Sequence, residues 1–476
     1  MGVDTVLPPK SAKSPMAQPN NPDTRRWQDL DRRHHVHPFT DFAALAAKSV
    51  RVITRAEGVY IWDSEGQRLL DGMSGLWCVN VGYGRKELAD AAQRQMMQLP
   101  FYNSFFQTTT PPTAELAAKL AEIAPAGLNL AMFCNSGSEA NDSVVKLVRY
   151  FWNRKGEPKR KTIISRQFGY HGVTMAAASL CGLPPMHTPF DLPLPGFAHV
   201  EAPYWYAQGG KMTPDEYGRH AAKALERKIQ ELGPENVAAF IGEPIQGAGG
   251  LIVPPDSYWP EIQRICRDYG ILLIADEVIC GFGRTGRWFG SDTYGIQPDL
   301  MVMAKGLSSG YIPIAAVMIG ERVGDVVTNA HEELVHGFTY SGHPAACAVA
   351  LENIRIIESE KLVERAGGAI GVYFQRRLRE FATHPLVGEV RGTGLIAGME
   401  MVADKATRRS FDRSHDVGMT CRNHCFENGL VMRAVRDIMV LAPPLIIGEA
   451  EIDELMDKAR HCLDLTLADV RRKGLI

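Results

Sequence analysis

The sequence has almost no net charge, no even or clustered cysteine framework and no long hydrophobic run, and each lack closes off a class of function. Lys and Arg number 52 against 54 Asp and Glu, a formal charge of -2 over 476 residues. That balance gives no basic excess for a polyanion, so nucleic acid is excluded as the main partner. No stretch approaches the roughly 20 apolar residues of a membrane span, and the first residues lack the apolar core of a secretion signal. The expectation is a cytoplasmic protein without membrane contact. The 9 cysteines, at 78, 134, 181, 266, 280, 347, 421, 425 and 462, are odd in number and scattered in apolar company. They read as reduced core residues and not as a disulfide framework. Cys421-Arg-Asn-His424-Cys425 has no second ligand pair, and its spacing suits one face of a helix. His34-His35-Val-His37 reads as the start of ordered structure. No metal is expected from either run.

What is present is a chain rich in alternating elements, without internal repeats. Residues 1–22 are rich in Pro, Ser, Asn and Lys without periodicity and read as a disordered tail. Residues 23–70 are expected to join a small domain, with Val50-Arg-Val-Ile and Gly58-Val-Tyr-Ile-Trp as short strands. From 71 to 335 strands alternate with helices, as in Thr162-Ile-Ile, Val237-Ala-Ala-Phe-Ile and Ile271-Leu-Leu-Ile. That alternation predicts an α/β fold, a large domain with a mostly parallel sheet covered on both faces. Residues 336–476 read as a smaller C-terminal α/β domain, with helices over Ala345 to Glu358 and Ala366 to Phe381 flanking Gly394-Leu-Ile-Ala-Gly-Met-Glu-Met.

The chemistry concentrates at strand ends. Asp299-Leu-Met-Val-Met-Ala-Lys305-Gly sets one amine at the end of an apolar strand, and Ile271-Leu-Leu-Ile-Ala-Asp276 delivers a carboxylate at a matching place. Open parallel sheets gather ligands at these carboxyl ends. A desolvated Lys beside a desolvated Asp is the pair that pyridoxal phosphate requires: the amine forms a Schiff base with the aldehyde, and the carboxylate keeps the pyridine nitrogen protonated. In Asn135-Ser136-Gly137-Ser138-Glu139 a short strand runs into a helix whose apolar residues Val144, Val145, Leu147, Val148 and Phe151 recur with helical spacing. Ser136 to Ser138 thus fall at a helix N-terminus, as a phosphate cradle or as a plain cap with Ser138 the cap residue. Phe168-Gly169-Tyr170-His171-Gly172 offers Tyr170 to stack on a planar ring. Val278, two residues beyond Asp276, is expected on the same side of the strand, against the opposite ring face.

Together these segments resemble the class III aminotransferases, pyridoxal phosphate enzymes of fold type I. The likeness is nearest to the ω-transaminases, which move amino groups from amines or β-alanine to pyruvate. The matching runs are Asp71-Gly-Met-Ser-Gly-Leu-Trp77-Cys-Val-Asn-Val-Gly-Tyr-Gly84, Asn135-Ser-Gly-Ser-Glu139, Gly169-Tyr-His-Gly172, Gly242-Glu243-Pro-Ile-Gln-Gly247, Ala275-Asp276-Glu-Val-Ile279, Ala304-Lys305-Gly306 and His336-Gly-Phe338-Thr339-Tyr-Ser-Gly-His-Pro344.

The resemblance implies that Lys305 carries the cofactor and shuttles protons, and that Asp276 binds the pyridine nitrogen. Tyr170 and Val278 would cover the ring, and Ser136, Gly137 and Ser138 would hold the phosphate. His171, Glu243 and Phe338 are implied beside the cofactor. Thr339 is similar to the threonine that reaches the phosphate of the neighbouring subunit. That implies a homodimer with shared active sites, or a tetramer built from such dimers. For substrates, the resemblance implies Phe39, Trp77, Phe105 and Tyr170 as pocket walls. Arg433 matches the arginine that clamps a keto acid's carboxylate and withdraws for apolar amines, with Arg436 as its neighbour in the motif. Pro184-Pro185-Met186 departs from the family pattern at the substrate entrance.

The partners implied are an amine donor and a keto acid acceptor. An aminomutase or a decarboxylase would use the same cofactor. Gly281-Phe-Gly283-Arg-Thr-Gly286 also matches the dinucleotide fingerprint of a nicotinamide oxidoreductase, but the residues after it lack the helical periodicity that fingerprint demands.

Overall fold

The structure is a computed structural model that describes residues 21–476. The expected tail lies outside the described residues except for Asn21 and Pro22. Asn21 caps the helix Pro22–His34 by accepting from Asp23 N, and Pro22 opens that helix. Among the described residues, helix is thus present a dozen residues before the histidine run, which closes that helix and does not open the ordered structure.

Among the described residues fifteen strands form three sheets. In chain order they are β1 (Ile53–Glu57), β2 (Tyr60–Asp63), β3 (Arg68–Asp71), β4 (Leu128–Cys134), β5 (Thr162–Arg166), β6 (Phe197–Val200), β7 (Val237–Gly242) and β8 (Leu272–Asp276). There follow β9 (Leu300–Met303), β10 (Ala315–Gly320), β11 (Val387–Thr393), β12 (Ile396–Met401), β13 (Leu430–Val431), β14 (Arg433–Val435) and β15 (Ile438–Leu441).

The central sheet has the order β4-β10-β9-β8-β7-β5-β6. Only β10 runs against its neighbours, so the sheet is mostly parallel as the alternation of elements predicts. Every residue of β7, β8, β9 and β10 is buried. Helices cover both faces, which is why these strands read as unbroken apolar runs. One cover is the helix Gly137–Arg154, whose Val144, Leu147, Val148 and Phe151 pack on Ile241, Ile274 and Val302. The other two sheets, β1-β2-β3-β13 and β11-β12-β15-β14, are joined through the neighbouring strands β13 and β14.

Two local expectations shift. The strand expected at Val50 starts at Ile53, because the Val50 carbonyl is taken by the Gln28 side chain and Arg51 by Asp63 and Gln67. The helix expected over Ala366 to Phe381 is two, Leu362–Gly367 and Ala369–Arg379. The break lies at Gly368, φ -105° and ψ -135°, beside Gly367, where a Cβ would fall 2.4 Å from the Gly286 carbonyl oxygen. Close passage of the two chain segments outweighs helical periodicity there. Among the described residues no helix is long and apolar enough to cross a membrane.

Candidate active site

Three adjacent parallel strands end at one level. Gly242 pairs with Ala275, and Asp276 with Val302. Glu243 therefore follows the end of β7 directly, Asp276 is the last residue of β8, and Lys305 comes two residues after β9. All three line one cavity together with Gly137, Ser138, Tyr170, His171, Gly172 and Val278.

Asp276 is fixed from three sides. Its Oδ2 accepts from Asn141 Nδ2 at 3.0 Å and meets His171 Nδ1 at 2.8 Å, while Oδ1 accepts from Val278 N at 3.1 Å. Asn141 also donates to the His171 carbonyl at 2.7 Å, so the three residues form one buried unit. Asn141 is not among the residues that the sequence singles out. Its place one turn into the helix is the signal that aims it at the cavity. His171 lies behind Asp276 and orients it.

Val278 reaches the cavity by a different route from the one expected. β8 stops at Asp276 and the chain turns, so the strand's two-residue alternation does not place Val278. The turn does, through the Val278 amide bonded to Asp276.

Lys305 sits in the left-handed region with φ 47°, immediately after the strand. Burial pulls its ammonium down to about 8, against the opposing pull of Cys78, Asp276 and Glu243. A useful fraction of the amine is thus neutral near physiological pH. Burial pushes the Glu243 carboxyl upward. Glu243 also accepts from Tyr170 N at 3.1 Å and from Gly247 N at 2.8 Å, anchoring the Tyr170 loop.

At the other end lies the N-terminus of the helix Gly137–Arg154. Ser136, and not Ser138, is the cap: its Oγ accepts from Glu139 N at 3.2 Å. Ser138 Oγ instead accepts from Val173 N at 3.1 Å. Gly172, at φ 139°, closes against it; a Cβ there would lie 2.7 Å from Ser138 Oγ. Ser136 is exposed and outside the cavity lining.

Trp77 is 2% exposed and adjoins the site. Lys305 Nζ lies 5.1 Å and the Arg433 guanidinium 4.6 Å from its ring centroid. Arg436 is engaged elsewhere, donating to the Gly249 carbonyl at 2.8 Å and lying over Phe168. Of the two motif arginines, Arg433 is the one beside Lys305 and Tyr170.

Within one protomer Phe39, Phe105 and Thr339 do not line the cavity. Phe39 is 78% exposed, and Thr339 and Phe105 also face outward. Phe338 packs on the core beneath the central sheet. Pro184–Met186 forms a 3-10 turn. After β8 the Gly281 to Gly286 run is a succession of turns, and the next helix, Gly290–Tyr294, has five residues. The strand-turn-helix unit of a dinucleotide site is not built there.

The aminotransferase class-III family signature matches residues 43–463. The chain belongs to the class III aminotransferases. This aminotransferase is 58% identical over 454 residues to a putrescine–pyruvate aminotransferase of Pseudomonas aeruginosa, covering 95% of this chain and 99% of that one. It is 43% identical to a diaminobutyrate–2-oxoglutarate transaminase of Halomonas elongata, over 94% of this chain and 98% of that one. The solved ω-transaminase of Pseudomonas jessenii in complex with PMP superposes with a TM-score of 0.91 at 46% identity, covering 93% and 98% of the two chains. The enzyme is therefore a pyridoxal phosphate-dependent transferase of fold type I.

Proposed function

We propose that this aminotransferase moves the amino group of an amine or ω-amino acid to a keto acid, pyruvate foremost, with Lys305 as the residue that carries the cofactor. The observation that bears the reading is the convergence of Lys305, Asp276 and a helix N-terminus on one cavity. The donor set fits pyridoxal phosphate. Gly137 and Ser138 offer backbone amides and a hydroxyl to a dianion, Asp276 offers a fixed carboxylate to a ring nitrogen, and the Gly172 floor leaves no room for a side chain. Tyr170 and Val278 are the ring's two walls.

When bound, the cofactor supplies the aldehyde that takes up the amino group and the ring that accepts electrons from the bond being broken. Asp276, held by Asn141, His171 and Val278 N, keeps that ring's nitrogen protonated. The neutral Lys305 amine would take the proton from the substrate carbon that bears nitrogen and deliver it to the carbon of the cofactor's former aldehyde, and would move a proton in the opposite direction, onto the keto acid's carbon, in the second half of the reaction. Trp77, Phe39 and Phe105 favour apolar substituents. Arg433 grips the carboxylate of the keto acid.

The same reading calls for a homodimer with shared sites and a cytoplasmic enzyme. Phe106, Met97 and Val335 are more than 79% exposed, and Phe101 meets the exposed Tyr340 beside Thr339 edge to face. An apolar surface of this kind next to Thr339 suits a second copy. The nine unpaired cysteines suit a reducing compartment. Pyruvate is favoured over a mutase or decarboxylase reading by the putrescine–pyruvate aminotransferase relative.

A panel of amines, diamines and ω-amino acids given to the holoenzyme with pyruvate tests this. Alanine should accumulate with at least one donor, and its absence with every donor would overturn the reading.

A further inference from the structure

The helix Pro22–His34 ends in a group that the transamination reading leaves unused. Asp31 lies in its last turn, His35 is its C-cap residue one turn on, and His37 follows two residues later. The chain folds back there, so that one carboxylate stands between two imidazoles. Asp31 Oδ1 lies 3.0 Å from His35 Nδ1, and Oδ2 lies 2.8 Å from His37 Nε2. The two imidazole rings are 4.1 Å apart, centroid to centroid. Among the described residues this is the group of three metal-ligating side chains whose ligand atoms all lie within 4.8 Å of one another.

Several features separate this group from an ordinary surface ion pair. One carboxylate can balance one imidazolium, whereas here two rings turn the same pair of oxygens inward. Asp31 and His37 are only 19% and 22% exposed, while His35 is open at 56%, so two ligands are held and the third can swing in. The group also sits at the C-terminus of a helix of 13 residues, the end whose free carbonyls favour a cation. Arg32 and Arg33 flank it, but Asp29 engages both, Arg32 through its carboxylate and Arg33 through its carbonyl. The sequence reading gave the histidine run no metal role, because Asp31 enters the group only through the turn after the helix.

The geometry points to a divalent transition-metal site, with zinc the fitting ion, built from Asp31, His35 and His37. Two imidazole nitrogens and one carboxylate oxygen are the mixed N and O donors zinc accepts, and three protein ligands leave a fourth position for water. Binding exchanges the protons now shared between the imidazoles and Asp31 for the metal, and so ties the helix end to the Phe39 segment. This site is independent of the transamination reading.

Zinc titrated into the tag-free holoenzyme, in competition with a chromogenic chelator, tests the proposal. One zinc per chain should bind in the unmodified protein. His35→Gln, at the exposed ligand where folding is least at risk, and Asp31→Asn should each weaken it by about tenfold or more, the scale on which metal sites respond to lost partners. His220→Gln, an exposed histidine on another helix, should leave binding unchanged. Cobalt in place of zinc should give the visible absorption of a four-coordinate ion, and His35→Gln should lose it. Equal zinc uptake by the parent and the two ligand variants, or no cobalt band in the parent, would overturn the site while leaving alanine formation untouched.

Discussion

Lys305 bears two burdens at once, a left-handed backbone and the loss of hydration around its ammonium. A non-glycine residue in that conformation costs of order 1 kcal/mol, so the packing around it must hold it there. With its amine depressed to about 8, the protonated form dominates below that pH and the nucleophilic neutral form above it. The rate at which apoenzyme takes up pyridoxal phosphate should therefore rise through pH 8 and level off beyond, as followed by cofactor absorbance. A rate that falls across that range would contradict the assignment. Lys305→Ala removes both the attachment point and the proton shuttle, and turnover should fall by about 10⁴-fold or more. Asp276→Asn keeps the shape and loses the charge, so kcat should fall by about 10² to 10³, the size of a lost preorganised electrostatic contact.

At the scale of elements, the turn that delivers Trp77 is tightly constrained. Ser74, Gly75 and Trp77 all have positive φ. Asp71 holds the turn by accepting from Met73 N, Gly75 N and the Tyr83 hydroxyl. Buried Arg284 ties Ser74 and Asn80 to the Leu395 and Pro443 carbonyls. Asp71→Asn should destabilise the protein by about 1 to 3 kcal/mol, read as a lower unfolding midpoint, because buried donors lose their charged acceptor. It should also raise KM for the amine more than it lowers kcat.

This turn shows where sequence reading stops. The central strands are legible because burial on both faces leaves short apolar runs bounded by turn residues, and Lys305 and Asp276 are legible as polar residues ending such runs. Trp77 is legible through its resemblance to a family motif; of the two clamps that hold its turn, Asp71 lies in that motif but Arg284 is 210 positions from Ser74. Val278 lines the cavity although β8 stops short of it, so strand alternation points to it for a reason the structure does not share. Asn141 has no such signature, because a buried amide leaves no periodic trace.

For the whole molecule, one protomer leaves Phe39, Phe105 and Thr339 facing outward, away from its own cavity. Under the proposed dimer those roles would depend on assembly, which a single chain's pattern does not encode. Light scattering should give at least twice the chain mass. Thr339→Ala should weaken cofactor retention by about tenfold, the cost of roughly 1.4 kcal/mol expected for one hydrogen bond to a charged phosphate. A monomer with full activity would contradict the shared site.

The claim beneath all of these is that one amine, at the end of β9, is where the cofactor attaches. Borohydride reduction of the holoenzyme, followed by proteolysis and peptide mass spectrometry, reads that attachment directly. The account predicts a reduced pyridoxyl phosphate group on Lys305 and none on Lys305→Ala protein. A label on another lysine, with Lys305 unmodified, would contradict it.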